Sequence, residues 1–191
     1  MCAWAIFRAN QAQQSGTHIE PKVEQVERII GLGVEKVAVS SAAIANLEFI
    51  TDAAKKVGSQ SIAVVADVRA DVNGGYRVFT HNGTVQTTQT AQEIARRVEQ
   101  AGAGEFILNN IDRDGMGSGY DLELVAQCRA TCSLPITVLG GAGSLDDIKV
   151  LIERFPIIGA AAGSLFVFKG KYRAVLINYP APKIRSSFSC A

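Results

Sequence analysis

The sequence has little of what metal, redox and membrane sites require. Its 191 residues include only four cysteines and two histidines, and no two cysteines form a C-x-x-C pair, so the spacing predicts no metal site. No apolar run approaches the roughly 20 residues of a membrane helix, and residues 1–10 are too short and too poorly flanked for a secretory signal. These absences favour a cytoplasmic protein that neither spans nor binds a membrane.

An excess of charge is also lacking. The chain has 19 basic and 18 acidic residues, a formal net charge of +1, and this balance indicates no nucleic-acid partner. A hydrophobic fraction of 48% is ordinary for a globular protein of one domain. Any bound anion must therefore be held locally, by loops and helix ends. Cys128 and Cys132, four residues apart, are predicted to lie on one buried helix face.

The hydrophobic pattern alternates between helix and strand from residue 22 onward. Short β-branched runs predict buried parallel strands, and helical periodicity separates them. The predicted strands are Lys36–Ser40, Ser61–Asp67, Glu105–Asn109, Pro135–Leu139 and Ile157–Ala162, with a hairpin from Val68 to Thr80. This alternation predicts an α/β fold with a parallel sheet, which either closes as a (β/α)8 barrel or stays open as a doubly wound sheet.

The two ends of the chain differ from its middle. Residues 1–21 are polar and aperiodic after a short apolar start, and we expect them to be irregular. Residues 22–180 are expected to form the sheet and its helices, and residues 181–191, rich in proline and serine, a flexible tail.

Glycine-rich segments follow two of the predicted strands. Gly140 and Gly141 lie between a strand and a helix capped by Ser144, and Gly163 and Ser164 follow the last strand. Glycine lets the backbone approach a ligand closely, and a helix N-terminus offers unpaired N–H groups to an anion. The two loops together predict a phosphate site, with tight turns as the alternative explanation of the glycines.

Carboxylates follow two other strands. Asp67 ends one apolar run, and Asp112 and Asp114 follow another. Carboxylates at the mouth of a parallel barrel are candidates for general acid and base, although an Asp-Gly pair such as Asp114-Gly115 is also typical of a turn. Ser40 and Ser41 follow the first predicted strand, where they either hold a second phosphate or cap a helix. Two anion sites with carboxylates between them predict a substrate that is phosphorylated at both ends.

These motifs resemble one enzyme family. The run EFILNNIDRDGMGSGYD from Glu105, followed by GGAG at Gly140, is similar to the cyclase subunit of imidazole glycerol phosphate synthase. KVAVSSAA at Lys36, Gly58-Ser59-Gln60 and Thr80-His81-Asn82-Gly83 are similar as well. The resemblance extends from about Val23 to Phe168.

The resemblance implies a (β/α)8 barrel enzyme without a cofactor. The family takes ammonia from a partner glutaminase and uses it to cleave and cyclise a bis-phosphorylated ribonucleotide in histidine biosynthesis. It implies that Asp67 is the catalytic acid and that Asp112 and Asp114 match the family's D-x-D-G motif. It further implies two phosphate sites, one formed by Gly115, Gly140, Gly141, Gly163 and Ser164 and the other by Ser40 and Ser41.

Two departures from the family pattern keep alternatives open. The family's first strand, with a catalytic aspartate, has no match, so we expect an incomplete barrel of about five βα units. Such a chain is either a cyclase or an inactive phosphate-binding fragment. Met116 replaces a usual threonine, and Gly163 to Pro180 resembles instead a paralogous branch that places an acetamidino group on a surface-polysaccharide sugar.

Overall fold

A computed structural model describes residues 4–6, 22–72, 74–170, 172, 174–177 and 179–181, with the backbone alone at 4–6 and 169. The strands are β1 Trp4–Ile6, β2 Lys36–Val39, β3 Ile62–Ala70, β4 Tyr76–Thr80, β5 Val85–Thr90, β6 Glu105–Asn110, β7 Ile136–Leu139, β8 Ile158–Ala160, β9 Phe168–Lys169 and β10 Ala174–Val175. The α-helices are α1 Val23–Gly31, α2 Ser41–Ala45, α3 Leu47–Val57, α4 Ala91–Gln100, α5 Leu122–Arg129, α6 Leu145–Arg154 and α7 Ser164–Val167.

The main sheet runs in chain order. Its parallel strands follow one another as β1-β2-β3-β6-β7-β8, and β4 and β5 form an antiparallel hairpin on the end of β3. A doubly wound sheet would reverse this order at a switch point, whereas a barrel keeps it. Within the described residues, β1 and β8 each pair on one side only. The prediction of an α/β fold of the incomplete-barrel type is therefore confirmed.

The helices cover one face of this sheet. Alternate residues of the strands, among them Val64, Phe106 and Val138, pack with the helices into one buried cluster. The opposite face, which is the interior of the barrel, holds a smaller cluster of Ala38, Ala63 and Ile107. Since the side-chain period of a strand is two, each strand contributes to both faces and delivers alternate residues to the barrel interior.

Polar caps determine where the main helices begin. Thr90 and Glu93 form a capping box at the start of α4, and Ser144 and Asp147 form another at α6. The Asn46 side chain accepts from the N–H of Glu48 at the start of α3. The cap predicted at Ser144 is therefore confirmed.

Several elements differ from the sequence predictions. β1 lies within the segment 1–21 that we expected to be irregular, and it pairs in parallel with β2. β5 is too polar to show apolar alternation, and β9 and β10 form a two-residue ladder that is too short for a periodic pattern. Of the predicted tail 181–191, all but residue 181 lies outside the described residues.

The two cysteines of the middle region are both buried, as predicted, but Cys132 lies beyond the end of α5 and does not share its face. Among the described residues, no helix is long and apolar enough to cross a membrane. In the same part of the chain, no group of three or more His, Cys, Asp or Glu side chains is arranged to hold a metal ion.

Candidate active site

The carboxyl ends of β3 and β6 bring Asp67 and Asn109 together. The two residues are partners in the parallel ladder, and the Asn109 Nδ2 donates to Asp67 Oδ1 at 2.7 Å. Asn109 is 4% exposed, whereas Asp67 is half-buried. Among the described residues, the Asn109 Oδ1 is buried without a hydrogen-bond partner. Asn109 was not among the predicted site residues, although it ends the same apolar run that drew attention to Asp112.

The other two predicted carboxylates lie further out. Asp112 is exposed, and its Oδ1 lies 3.0 Å from Arg69 Nε, an ion pair in which the N–H does not point at the oxygen. Arg69 follows Asp67 by two residues on β3, so both side chains leave the strand on the barrel-interior side. Asp114 is exposed in the turn that leads to Gly115. The ion pair with Arg69 thus places Asp112 near the end of β3, whereas Asp114 lies at the surface.

The loops that follow β6 and β7 interlock through glycines. Gly119 N donates to Gly141 O at 2.8 Å. A Cβ added to Gly141 would lie 2.2 Å from Gly119 O, and one added to Gly140 would lie 2.3 Å from Asn110 O. Both glycines also have positive φ angles, 92° at Gly140 and 110° at Gly141. Gly140 and Gly141 are therefore required by the packing of one loop on the other.

The loop after β6 also reaches the segment after β8. A Cβ on Gly115 would lie 3.6 Å from Ser164 Oγ, and the Tyr120 hydroxyl donates to Ala161 O at 2.8 Å. A Cβ on Gly163 would meet no described atom within 4 Å. Gly115 is thus brought to Ser164, the neighbour of Gly163, and the loop that carries Gly115 also contacts Gly141 through Gly119.

N–H groups at the N-terminus of α6 donate hydrogen bonds to a side chain of the same helix. The Asp147 carboxylate accepts from Gly143 N at 3.0 Å and from Ser144 N at 2.8 Å. Burial opposes ionisation of this carboxyl, but the hydrogen bonds from Gly143 and Ser144 outweigh it and hold its pKa below the usual value. Our expectation that this helix end offers its N–H groups to a phosphate is therefore wrong for these two groups.

Ser40 and Ser41 lie at the carboxyl end of β2. Ser40 precedes α2, and its carbonyl accepts from Ala43 N at 2.9 Å. The Ser41 hydroxyl accepts from His81 N at 2.9 Å, at the tip of the hairpin between β4 and β5. A hydroxyl that accepts one hydrogen bond retains its own proton for another acceptor. Ser41 is therefore held in place as a hydrogen-bond donor.

The two predicted anion sites lie on opposite sides of Asp67. β3, which carries Asp67, and β6 lie between β2 and the β7–β8 side of the sheet. At about 4.8 Å per strand, β2 and β7 are about 14 Å apart along the sheet, and less across a curved one. A ligand with anionic groups at both ends would therefore pass over Asp67 and Asn109.

The opposite end of the barrel interior contains charges that sequence analysis missed. Lys36 Nζ lies 2.5 Å from Glu105 Oε2, and the Thr137 hydroxyl donates to Glu105 Oε1 at 2.7 Å. The Glu105 side chain is only 5% exposed. Lys36 and Glu105 are each the first residue of an otherwise apolar strand, and this position could have indicated the pair from the sequence.

Comparison with known proteins identifies the family. The profile described as "Histidine biosynthesis protein" matches residues 19–173. The chain belongs to this family. The resemblance predicted from the motifs is thereby confirmed, and the match includes every predicted site residue.

The chain is also similar to individual proteins named as imidazole glycerol phosphate synthase subunits. The chain is 52% identical over 161 residues to the putative imidazole glycerol phosphate synthase subunit hisF3 of Vibrio vulnificus (strain YJ016), covering 84% of this chain and 62% of the relative. It is 51% identical to the putative subunit HisF of Leptospira borgpetersenii, covering 83% and 63%. To the subunit HisF of Alkaliphilus metalliredigens (strain QYMF) it is 40% identical, covering 75% and 57%. The chain thus spans less than two thirds of the length of these relatives.

Proposed function

We propose that this chain belongs to a cyclase of the imidazole glycerol phosphate synthase type. Such an enzyme uses ammonia to cleave and cyclise a bis-phosphorylated ribonucleotide in histidine biosynthesis. The observation that carries this proposal is the position of Asp67 and Asn109, on β3 and β6, between the strands that precede the two predicted phosphate sites. A general acid between two phosphate sites is the arrangement that a substrate phosphorylated at both ends requires.

Each group has a separate role in this proposal. Asp67 transfers a proton at the reacting centre, and Asn109 orients its carboxylate. Gly115, Gly163 and Ser164 bind one phosphate, in a cradle that Gly140 and Gly141 shape. Ser40 and Ser41 bind the other, with the Ser41 hydroxyl oriented by His81 N–H. Asp112 lies near the end of β3 through its ion pair with Arg69, and Asp114 is exposed in the turn before Gly115.

The proposed reaction needs groups beyond these. The family resemblance implies a second catalytic aspartate on a first strand, and the described strands have no counterpart of it. We therefore propose that this chain supplies the acid half of the site. In this proposal ammonia comes from a partner glutaminase. The enzyme is placed in the cytoplasm, since the free, buried thiols of Cys128 and Cys132 suit a reducing compartment.

A second candidate has its own support. Identity is higher to relatives named putative, at 52% and 51%, than to the relative at 40% that is named without that qualifier. Met116 departs from the usual threonine, and Phe168–Lys169 pairs antiparallel with Ala174–Val175 in the region where the family resemblance implies a helix. These features favour a paralogue that transfers ammonia-derived nitrogen to a polysaccharide sugar.

The test is ammonia-dependent turnover of the bis-phosphorylated ribonucleotide by the purified chain, followed as loss of substrate absorbance. Turnover that Asp67→Asn abolishes supports the cyclase. Binding that needs both phosphates, without turnover, supports an incomplete cyclase that lacks the second aspartate. Equal affinity for substrates with one or two phosphates would contradict the proposal.

A further inference from the structure

A buried carboxylate holds the two ends of the loop that follows β6. Asp121 precedes α5 with a side chain that is 8% exposed, and it accepts from Leu124 N at 3.2 Å. The Asn110 amide donates to Asp121 Oδ2 at 2.9 Å. Arg113 Nε lies 3.6 Å from the same oxygen. One side chain thus joins the end of the strand, the loop and the start of the next helix.

The hairpin supplies a further donor to this carboxylate. Tyr76, the first residue of β4, places its hydroxyl 3.0 Å from each oxygen of Asp121. Burial, followed by the hydrogen bond to Asp121, raises the pKa of Tyr76 to about 12. The phenol therefore stays protonated and donates at neutral pH. Tyr76 and Asp121 are 45 residues apart in the sequence, so this bond ties two separate parts of the fold.

The loop between these anchors has little stiffness of its own. Gly115, Gly117 and Gly119 all have positive φ angles, of 73°, 63° and 84°. Glycine has the largest conformational freedom to lose, so a glycine-rich segment depends on its ends for its position. Arg113 holds one end to the other, because its NH1 donates to Gly119 O at 3.2 Å and to Tyr120 O at 3.3 Å.

We propose that Tyr76 is a positioning residue that, through Asp121, sets the phosphate-binding conformation of the loop 113–120. The phosphate part of this inference rests on the proposed function; the positioning of the loop does not. Tyr76 does not touch the phosphate cradle itself. It fixes the carboxylate that holds Arg113 and Asn110, and these fix Gly115 beside Ser164.

The test compares Tyr76→Phe with the parent chain. The substitution removes one hydroxyl and keeps the ring, so packing is retained. Two quantities are measured: hydrogen exchange of the Gly115, Gly117 and Gly119 amides, and the dissociation constant of inorganic phosphate from the Gly115 and Ser164 amide shifts. Because one hydrogen bond to a charged group is lost and others to Asp121 remain, we expect loop exchange to rise and phosphate affinity to fall about three- to tenfold.

Tyr172→Phe is the matched control, since Tyr172 is 90% exposed. It should change neither quantity. Loop exchange at the parent rate in Tyr76→Phe overturns the proposal, as does faster exchange that extends equally to Val37 and Val39 in β2, because Tyr76 would then act on the whole fold. Faster loop exchange in a chain whose parent form binds no phosphate at these amides retains the positioning role and overturns the phosphate site of the proposed function.

Discussion

The side-chain amide of Asn109 donates a 2.7 Å hydrogen bond to the Asp67 carboxylate across two neighbouring strands. The two residues are paired in the ladder of β3 and β6, so the spacing of a buried sheet sets their separation. Groups on strands are held more precisely than groups on loops. This pair is therefore the rigid centre of the proposed site, in which the residues proposed to bind phosphate lie on loops.

The first prediction concerns this pair. Asp67→Asn keeps the size of the side chain but removes the carboxyl group that we propose transfers a proton. We expect turnover to fall about 10²- to 10⁴-fold under conditions in which the parent is active, with phosphate affinity unchanged. Steady-state kinetics and phosphate titration measure the two effects.

The control for Asp67 is Asp52→Asn, which changes an exposed carboxylate on α3. It should retain parent activity. A drop in turnover of less than threefold in Asp67→Asn would show that this carboxylate is not the acid.

The sequence allowed prediction of the strand-end residues because parallel strands converge at one edge. Asp67, Gly140 and Ser164 each follow an apolar run, and the loops after adjacent strands meet. The alternation alone left the barrel and the doubly wound sheet open. The choice between them depends on strand order, which is a long-range property that periodicity does not contain.

The remaining site residues depend on pairings that sequence does not display. Asn109 contacts a residue 42 positions away, and Lys36 contacts one 69 positions away. Register determines which residue of one strand meets which residue of the next. The use of the α6 N–H groups by Asp147 was missed for another reason: a capping box and an anion site share the same sequence pattern.

The second prediction separates glycines required by packing from those that are not. Gly141→Ala places a methyl group 2.2 Å from Gly119 O at a φ angle of 110°. We expect a loss of at least about 2 kcal/mol in the free energy of unfolding, since both strain and overlap are introduced. Urea unfolding measures it.

Gly163→Ala is the matched control for Gly141→Ala. Its φ angle is −103°, and the added methyl group meets no described atom within 4 Å. Its free energy of unfolding should stay within about 0.5 kcal/mol of the parent's. Equal losses in the two variants would contradict the close packing of the loops after β6 and β7.

The third prediction concerns the charges at the start of β6. Glu105→Ala removes a buried carboxylate that pairs with Lys36 and accepts from the Thr137 hydroxyl. We expect a loss of about 3 kcal/mol, at the lower end for a broken buried pair because the Lys36 side chain is 31% exposed. The urea midpoint reports the loss.

An exposed pair provides the comparison for Glu105. Lys149 and Glu153 lie 3.8 Å apart on α6, with side chains that are 56% and 62% exposed. Glu153→Ala should change stability by less than about 0.5 kcal/mol. A similarly small change in Glu105→Ala would contradict a stabilising role of the Lys36–Glu105 pair.

The fourth prediction concerns the reactivity of Cys128. Burial, followed by the nearby Cys132, raises the pKa of the Cys128 thiol to about 12. The thiolate is the reactive form, so at pH 8 only about one molecule in 10⁴ carries it. We expect Cys128 in the folded chain to resist iodoacetamide at pH 8, as measured by peptide mass mapping. In about 8 M urea, where we expect the chain to be unfolded, Cys128 should react at the rate of a free thiol.

The pH dependence of Cys128 follows from the sign of the shift. Because the folded pKa lies above the unfolded value, the protonated thiol contributes stability that is fully present below about pH 9 and is lost as the pH rises toward 12. The Cys128→Ser variant, which does not titrate in this range, should therefore lose less stability than the parent between these pH values. Rapid alkylation of Cys128 in the folded state at pH 8 would mean that α5 detaches from the core often enough to expose this thiol. The burial of Cys128 in the core cluster argues against such opening.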